Sequence, residues 1–175
     1  MKKILLVAAA AAGLATVSPA FATDGTINIS GTVTSTTCTI ASNGTVTVVL
    51  PQVSTTSLAA ATNTAGRVPF SINLSGCAAN TKATAYFETA TNIDPVTGNL
   101  RNTTGPTYAT NVQVRLYNAD GVSAINLAGA TTAQNSQQVT VNTGGAMNYH
   151  AAYYATGQST GGLVSTSVIY TMQYQ

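Results

Sequence analysis

Charge is what this sequence has least of: 6% of its residues are charged, tryptophan is absent, and there are one histidine and two cysteines. Each scarcity excludes a class of chemistry. Lys2 and Lys3 sit in an N-terminal leader, and the remaining chain sets Arg67, Lys82, Arg101 and Arg115 against Asp24, Glu88, Asp94 and Asp120. A balanced chain with four scattered cations has no electrostatic footprint for a phosphate backbone, so nucleic acid is excluded as the expected partner. An anionic membrane surface fails for the same reason. Two thiols and one histidine without close spacing do not make a metal site, and no cofactor is expected. Acid–base or nucleophilic catalysis needs titratable groups brought together. Here the acids are far apart and His150 stands alone. Gly144-Gly145 and Gly161-Gly162 lack the lysine and helix of a phosphate loop. The chain is therefore not expected to be an enzyme.

What is present is threonine, serine, asparagine, glycine and alanine, a surface of hydroxyls, amides and methyls. So little charge disfavours a freely soluble monomer and suits a subunit packed among others. Residues 1–22 carry two lysines, an apolar run from Ile4 to about Val17, and Ala20-Phe21-Ala22. That is an export signal with cleavage between Ala22 and Thr23, its apolar run too short for a membrane span, so no direct membrane insertion is expected. In an exported chain Cys38 and Cys77 are expected to pair. Closing a loop of about 40 residues is worth on the order of 3 to 4 kcal/mol in the chain-entropy model.

The remainder, enough for one domain, alternates between β-rich stretches and Gly, Asn, Thr or Ser punctuation, with no helical periodicity. Strands are expected over about 26–40, 45–50, 68–74, 83–88, 112–118, 138–141, 147–155 and 165–174. Turns are expected at Asn43-Gly44, Asp120-Gly121 and Gly144-Gly145, and loops at Asp94-Pro95 and Gly105-Pro106. This is an all-β pattern, an antiparallel sandwich. Residues 112–117 alternate so that Val112, Val114 and Leu116 face the core, while Gln113, Arg115 and Tyr117 face water. Met147, Tyr149, Ala151 and Tyr153 form a second inward row, which puts His150 on the outer face, and Val168, Tyr170, Met172 and Tyr174 form a third. Four Asn-x-Ser/Thr triplets, at Asn28, Asn43, Asn73 and Asn102, are expected by chance in this composition and receive no role.

Residues 23–33, TDGTINISGTV, precede the first cysteine, with Ile27, Ile29, Gly31 and Val33 alternating with polar residues. They read as a strand with one apolar face interrupted by a residue with no side chain, held by no covalent bond, and are expected to pair with a neighbouring copy. With the last expected strand reaching almost to Gln175, nothing after it is expected to close the sheet.

Four features carry a resemblance: the pre-cysteine strand ending GTV, Cys38 with Cys77, the block NVQVRLYNADGVSAINL, and the final stretch YHAAYYATGQSTGGLVSTSVIYTMQYQ. In these the chain resembles the major subunit of type 1 fimbriae, of the chaperone–usher pilin family, whose C-terminal pattern has a penultimate tyrosine, here Tyr174, and a glycine fourteenth from the end, here Gly162. The resemblance implies an incomplete immunoglobulin-like sandwich, completed by a donor strand from another subunit. It implies domains at 1–22 (signal peptide), 23–33 (donor-strand extension) and 34–175 (pilin body). It further implies a periplasmic chaperone that occupies the groove first, and an outer-membrane usher where strands exchange. The assembly edge would be Gly162, Val168, Tyr170, Met172, Tyr174 and the carboxylate of Gln175. Expected partners are other copies in a head-to-tail filament, together with minor and tip fimbrial subunits, at the surface of a cell. The alternative reading is an exported, self-sufficient immunoglobulin-like module that binds a ligand through its loops.

Overall fold

A computed structural model describes residues 28–31 and 38–175. The chain divides into two units, Met1–Val33 and Thr34–Gln175. Of the first unit only residues 28–31 are described, without regular secondary structure and exposed. The expected signal, its cleavage point at Ala22 and Thr23, and the donor positions Ile27 and Val33 lie outside the described residues.

The second unit is a curled antiparallel sheet, a half-barrel with no α-helix among the described residues. Its strands are β1 (Thr39–Ile40), β2 (Thr64–Phe87), β3 (Leu100–Arg101), β4 (Val112–Tyr117), β5 (Gln138–Ala155) and β6 (Tyr170–Tyr174). They order as β1-β2-β5-β4-β3, and β6 pairs with the far half of β2. The all-β antiparallel class is as expected, but the layers are not separate sheets. Residues 68–74 and 83–88, read from the sequence as two strands, belong mostly to one continuous β2, and 138–141 and 147–155 to one continuous β5. Irregularities at Ser75/Cys77 and Cys77/Thr81 shift the register between these strands. Extra residues at such bulges let a strand bend and carry on rather than stop.

That continuity corrects the expected turn at Gly144-Gly145. A Cβ at 144 would stand 2.6 Å from the Leu74 carbonyl oxygen, and one at 145 would stand 2.9 Å from Val141 Cγ1. These glycines permit close approach in the middle of a strand, so they punctuate nothing. The other signals mark real turns. Gly121 N–H donates to Asn118 O, Gly98 N–H to Asp94 O and Tyr108 N–H to Gly105 O.

Ile72, Phe87, Leu127, Met147 and Tyr149 lie at the centre of the core, with Phe70 stacked on Tyr149 and Phe87 edge-on to it. Cys38 and Cys77 are bonded, with Cα atoms 4.4 Å apart, which fixes the start of β1 to β2. The outer face of β4 is not wet, as its alternation suggests, because the loop before β3 covers it. Gln113 and Tyr117 are 6% and 4% exposed. Thr97 and Asn99 donate to Gln113 Oε1, and Arg115 donates to Asn99 Oδ1 while stacking 3.8 Å from the Tyr154 ring. Arg67 lies over Tyr117 in the same manner, at 4.4 Å. Two of the four cations are thus spent on aromatic faces within the fold. His150, placed on the outer face by the sequence pattern, is half-buried with Nδ1 3.3 Å from Asn118 O.

Candidate functional site

The sequence of residues 45–50, TVTVVL, has the composition of a strand and adopts the alternation of one. Val46, Val48 and Leu50 turn half-buried toward the core, and Thr45, Thr47 and Val49 turn outward. Yet it belongs to no sheet, and residues 46–50 make no backbone hydrogen bond to any described residue. Residues 164–169 are in a similar position. Val164, Thr166 and Val168 are half-buried, and their neighbours are exposed. Between these two stretches runs a groove of about 620 Å³. Its floor is Phe70, Ile72 and Phe87 from β2, Val114 and Leu116 from β4, and Ala151 and Tyr153 from β5.

Backbone accounting gives the groove its character. In an extended chain the N–H and C=O of one residue point to one side and those of the next to the other. Lys82 and Gln175 exchange both bonds at 2.9 Å, and Glu88 N–H donates to Ile169 O. Thr103 N–H donates to Ser165 O, Asn102 Oδ1 accepts from Ser165 N–H, and Asn92 Nδ2 donates to Ser167 O. Each of these bonds is made by the backbone of an odd-numbered residue; Thr166 contributes its side-chain Oγ1, which accepts from Asn92 Nδ2. Val164, Thr166 and Val168 therefore turn their N–H and C=O groups the other way, where no described residue bonds them. Apolar floor, alternating walls and an unpaired backbone edge together form a receptor for an extended peptide.

The groove has two different ends. At one, Tyr170 Oη donates to Gly44 O at 2.8 Å, joining the walls. Burial pushes the Tyr170 phenol above the usual tyrosine range, so it stays a donor. At the other, Tyr153 and Val164 are shared with a smaller cavity of about 270 Å³ that also touches Val53, Leu58, Val112 and Gly162. Gly162 fits there because a Cβ would stand 2.4 Å from Ala109 N.

Of the residues expected on the assembly edge, Val168 and Tyr170 line the groove and Gly162 lies in the adjoining cavity. Met172 and Tyr174 are half-buried against the core, and the Tyr174 hydroxyl lies against the backbone of Cys38. The Gln175 backbone pairs with Lys82. Ile29 is 91% exposed, and a Cβ at Gly31 would meet nothing within 4 Å. Sequence reasoning missed the role of residues 45–50 as a wall; their apolar alternation was the available signal. It also missed the tie from Tyr170 to Gly44, which no local pattern announces. No group of three or more metal-ligating side chains occurs among the described residues.

The family model described as "FimA: Type-1 fimbrial protein, A" matches residues 50–175. The chain belongs to this type-1 fimbrial family. It is 48% identical over 68 residues to the F17 fimbrial protein of Escherichia coli, and 51% identical over 70 residues to the major fimbrial subunit SMF-1 of Stenotrophomonas maltophilia (strain K279a). Each match takes in 38% of this chain, and they span 38% and 41% of those relatives' lengths. Among solved structures, the P pilus rod subunit PapA aligns with a TM-score of 0.59 at 16% identity, over 79% of this chain and 99% of that one. A chaperone–usher pilus structure aligns with a TM-score of 0.61 at 16% identity, over 90% and 100%. These likenesses establish the fold. The family description is that of a fimbrial protein.

Proposed function

We propose that this fimbrial subunit polymerises by strand donation: residues 23–33 of one copy fill the groove between residues 45–50 and 164–168 of the next. The unpaired edge at Val164, Thr166 and Val168, above an apolar floor, is the observation that carries this reading. Length supports it. The six-residue wall 45–50 spans about 20 Å at a strand's rise, the reach of a segment such as 27–33. Ile27, Ile29 and Val33 would supply the apolar row, each contributing about 2 kcal/mol on burial, and Gly31 would sit where the groove is shallow. Because each copy carries both donor and groove, association runs head to tail and does not close, which makes a filament.

The same reading places a signal at 1–22, cleaved between Ala22 and Thr23, a donor extension at 23–33 and the pilin body at 34–175. A strand lent by a periplasmic chaperone would fill the groove before assembly. The edge Gly162, Val168, Tyr170, Met172 and Tyr174, with the Gln175 carboxylate, would be its docking strip. Exchange for the next subunit's extension at an outer-membrane usher needs no nucleotide, since the better-fitting strand replaces the poorer. The product is the shaft of a surface fimbria that supports adhesion, joined to minor and tip subunits.

The test is a gel of material sheared from expressing cells, run with and without boiling, beside a variant lacking residues 23–32. Heat-sensitive ladders in the parent and none in the variant support donation. Monomer alone in both overturns it and favours the self-sufficient binding module.

A further inference from the structure

The groove is open along only half of the edge that β6 continues. Beyond Val168 the facing strip, residues 38–44, is held in place at several points. The Cys38–Cys77 bond anchors its start, and Thr39 and Ile40 pair with Ser75 and Leu74. The Tyr174 hydroxyl lies against the Cys38 backbone, and Tyr170 Oη donates to Gly44 O. Ser42, Asn43 and Gly44 are consecutive residues with φ of 53°, 51° and 79°, a left-handed turn that costs energy at its two non-glycine positions. The chain turns sharply where Tyr170 crosses from the opposite wall.

We infer that Tyr170, tied to Gly44, is the stop that sets the register of the strand docked in this groove. The inference rests on the proposed strand donation. An incoming strand pairs with the edge at residues 164–168 and meets the phenol at 170, where both walls are already joined. A strand that slides by one residue turns its apolar row to the wrong face, so that slip is self-correcting; a slip by two keeps the faces right and is not. Ile27, Ile29, Gly31 and Val33 repeat at that two-residue spacing, so the apolar alternation alone does not distinguish neighbouring registers. A fixed obstacle at one end does. Tyr170 is a positioning residue that acts on alignment, while the floor residues act on affinity.

The experiment places a photo-crosslinking amino acid at position 29 of the full exported chain and maps its cross-links in sheared filaments by mass spectrometry. In the parent they fall on one site in the groove. In Tyr170→Phe, which keeps the ring and loses the donor, the site spreads or moves by two residues toward position 172. Gly44→Ala strains the backbone at φ 79° in the residue whose carbonyl accepts the tie, loosening it from the opposite wall, and gives the same displacement. Tyr174→Phe, which removes a hydroxyl beyond the stop, keeps the parental map. An unchanged map in both Tyr170→Phe and Gly44→Ala, with cross-linking between copies intact, overturns the stop and leaves strand donation standing. No cross-link between copies in the parent overturns both.

Discussion

Gln134 holds Phe87 as a neighbouring strand would. Its side-chain Oε1 accepts from Phe87 N–H at 3.0 Å, and its Nε2 donates to Phe87 O at 2.6 Å and to Leu127 O at 3.4 Å, in a site where Gln134 is 0% exposed. Phe87 is the last residue of β2, faces Tyr170 of β6 in the sheet and lines the groove floor. A buried amide therefore completes the backbone at the point where floor and edge meet.

Replacing Gln134 with leucine keeps the approximate volume and removes both bonds to Phe87. A buried backbone donor and acceptor left unpaired cost about 1–3 kcal/mol each. We expect Gln134→Leu to lower the unfolding free energy by about 2–4 kcal/mol, read by denaturant titration with the Cys38–Cys77 bond intact.

Gly161 and Gly162 are adjacent and should respond in opposite ways. A Cβ at 161 would meet nothing within 4 Å, whereas one at 162 would lie 2.4 Å from Ala109 N and 2.6 Å from Tyr108 C, backbone atoms that cannot turn aside. Gly162→Ala should destabilise by more than about 2 kcal/mol, the scale of a strained overpacking. Gly161→Ala should stay within about 0.5 kcal/mol of the parent, as surface changes do. Thermal melts of the two variants check both.

Much of this was legible in the chain itself. β4 is found where the alternation of Val112, Val114 and Leu116 puts it, and the rows through Tyr149 and Tyr170 face inward as expected. Alternation reports only which residues share a face, however, and not what covers that face. Gln113 and Tyr117 look like a wet face because the residues that bury them, Thr97, Asn99 and Arg67, come from elsewhere in the sequence. Gly144-Gly145 misleads for a related reason. Glycine marks either a turn or a close approach, and the atom that decides, Leu74 O, is distant in the chain. β3, two residues long, is too short for any periodicity to show. In the groove, the residues with alternating apolar character were readable. The tie from Tyr170 to Gly44 and the Gln134 bonds were not, because each joins side chain to backbone across long sequence separations.

The titrating groups set a wide plateau of stability. Asp94 is held below the usual carboxylate value of 3.8, chiefly by the Thr97 N–H, with help from Val96 N–H and Arg101 against some burial. Asp120 is lowered chiefly by the Ser123 hydroxyl. A lowered carboxylate contributes stability above its unfolded value and loses it as pH falls through the folded one. Burial raises Tyr149, Tyr153, Tyr170 and Tyr174 above the usual 10.0. A raised phenol contributes stability that is full below the unfolded value and is lost as pH climbs through the folded one. Melting temperature measured against pH should therefore be level between about pH 5 and 9, and fall below about pH 4 and above about pH 10. A steep fall between pH 5 and 8 would contradict this.

Strand donation is tested most directly at the backbone groups that face the groove. Amide hydrogen exchange at Val164, Thr166 and Val168 should be followed in sheared filaments of the parent and in the variant lacking residues 23–32. The account predicts strong protection of these three amides in the filament and rapid exchange in the variant, while the already paired Glu88 and Gln175 amides behave alike in both. Rapid exchange at all three in intact filaments would contradict it, because subunits would then be joined without any strand paired to that edge.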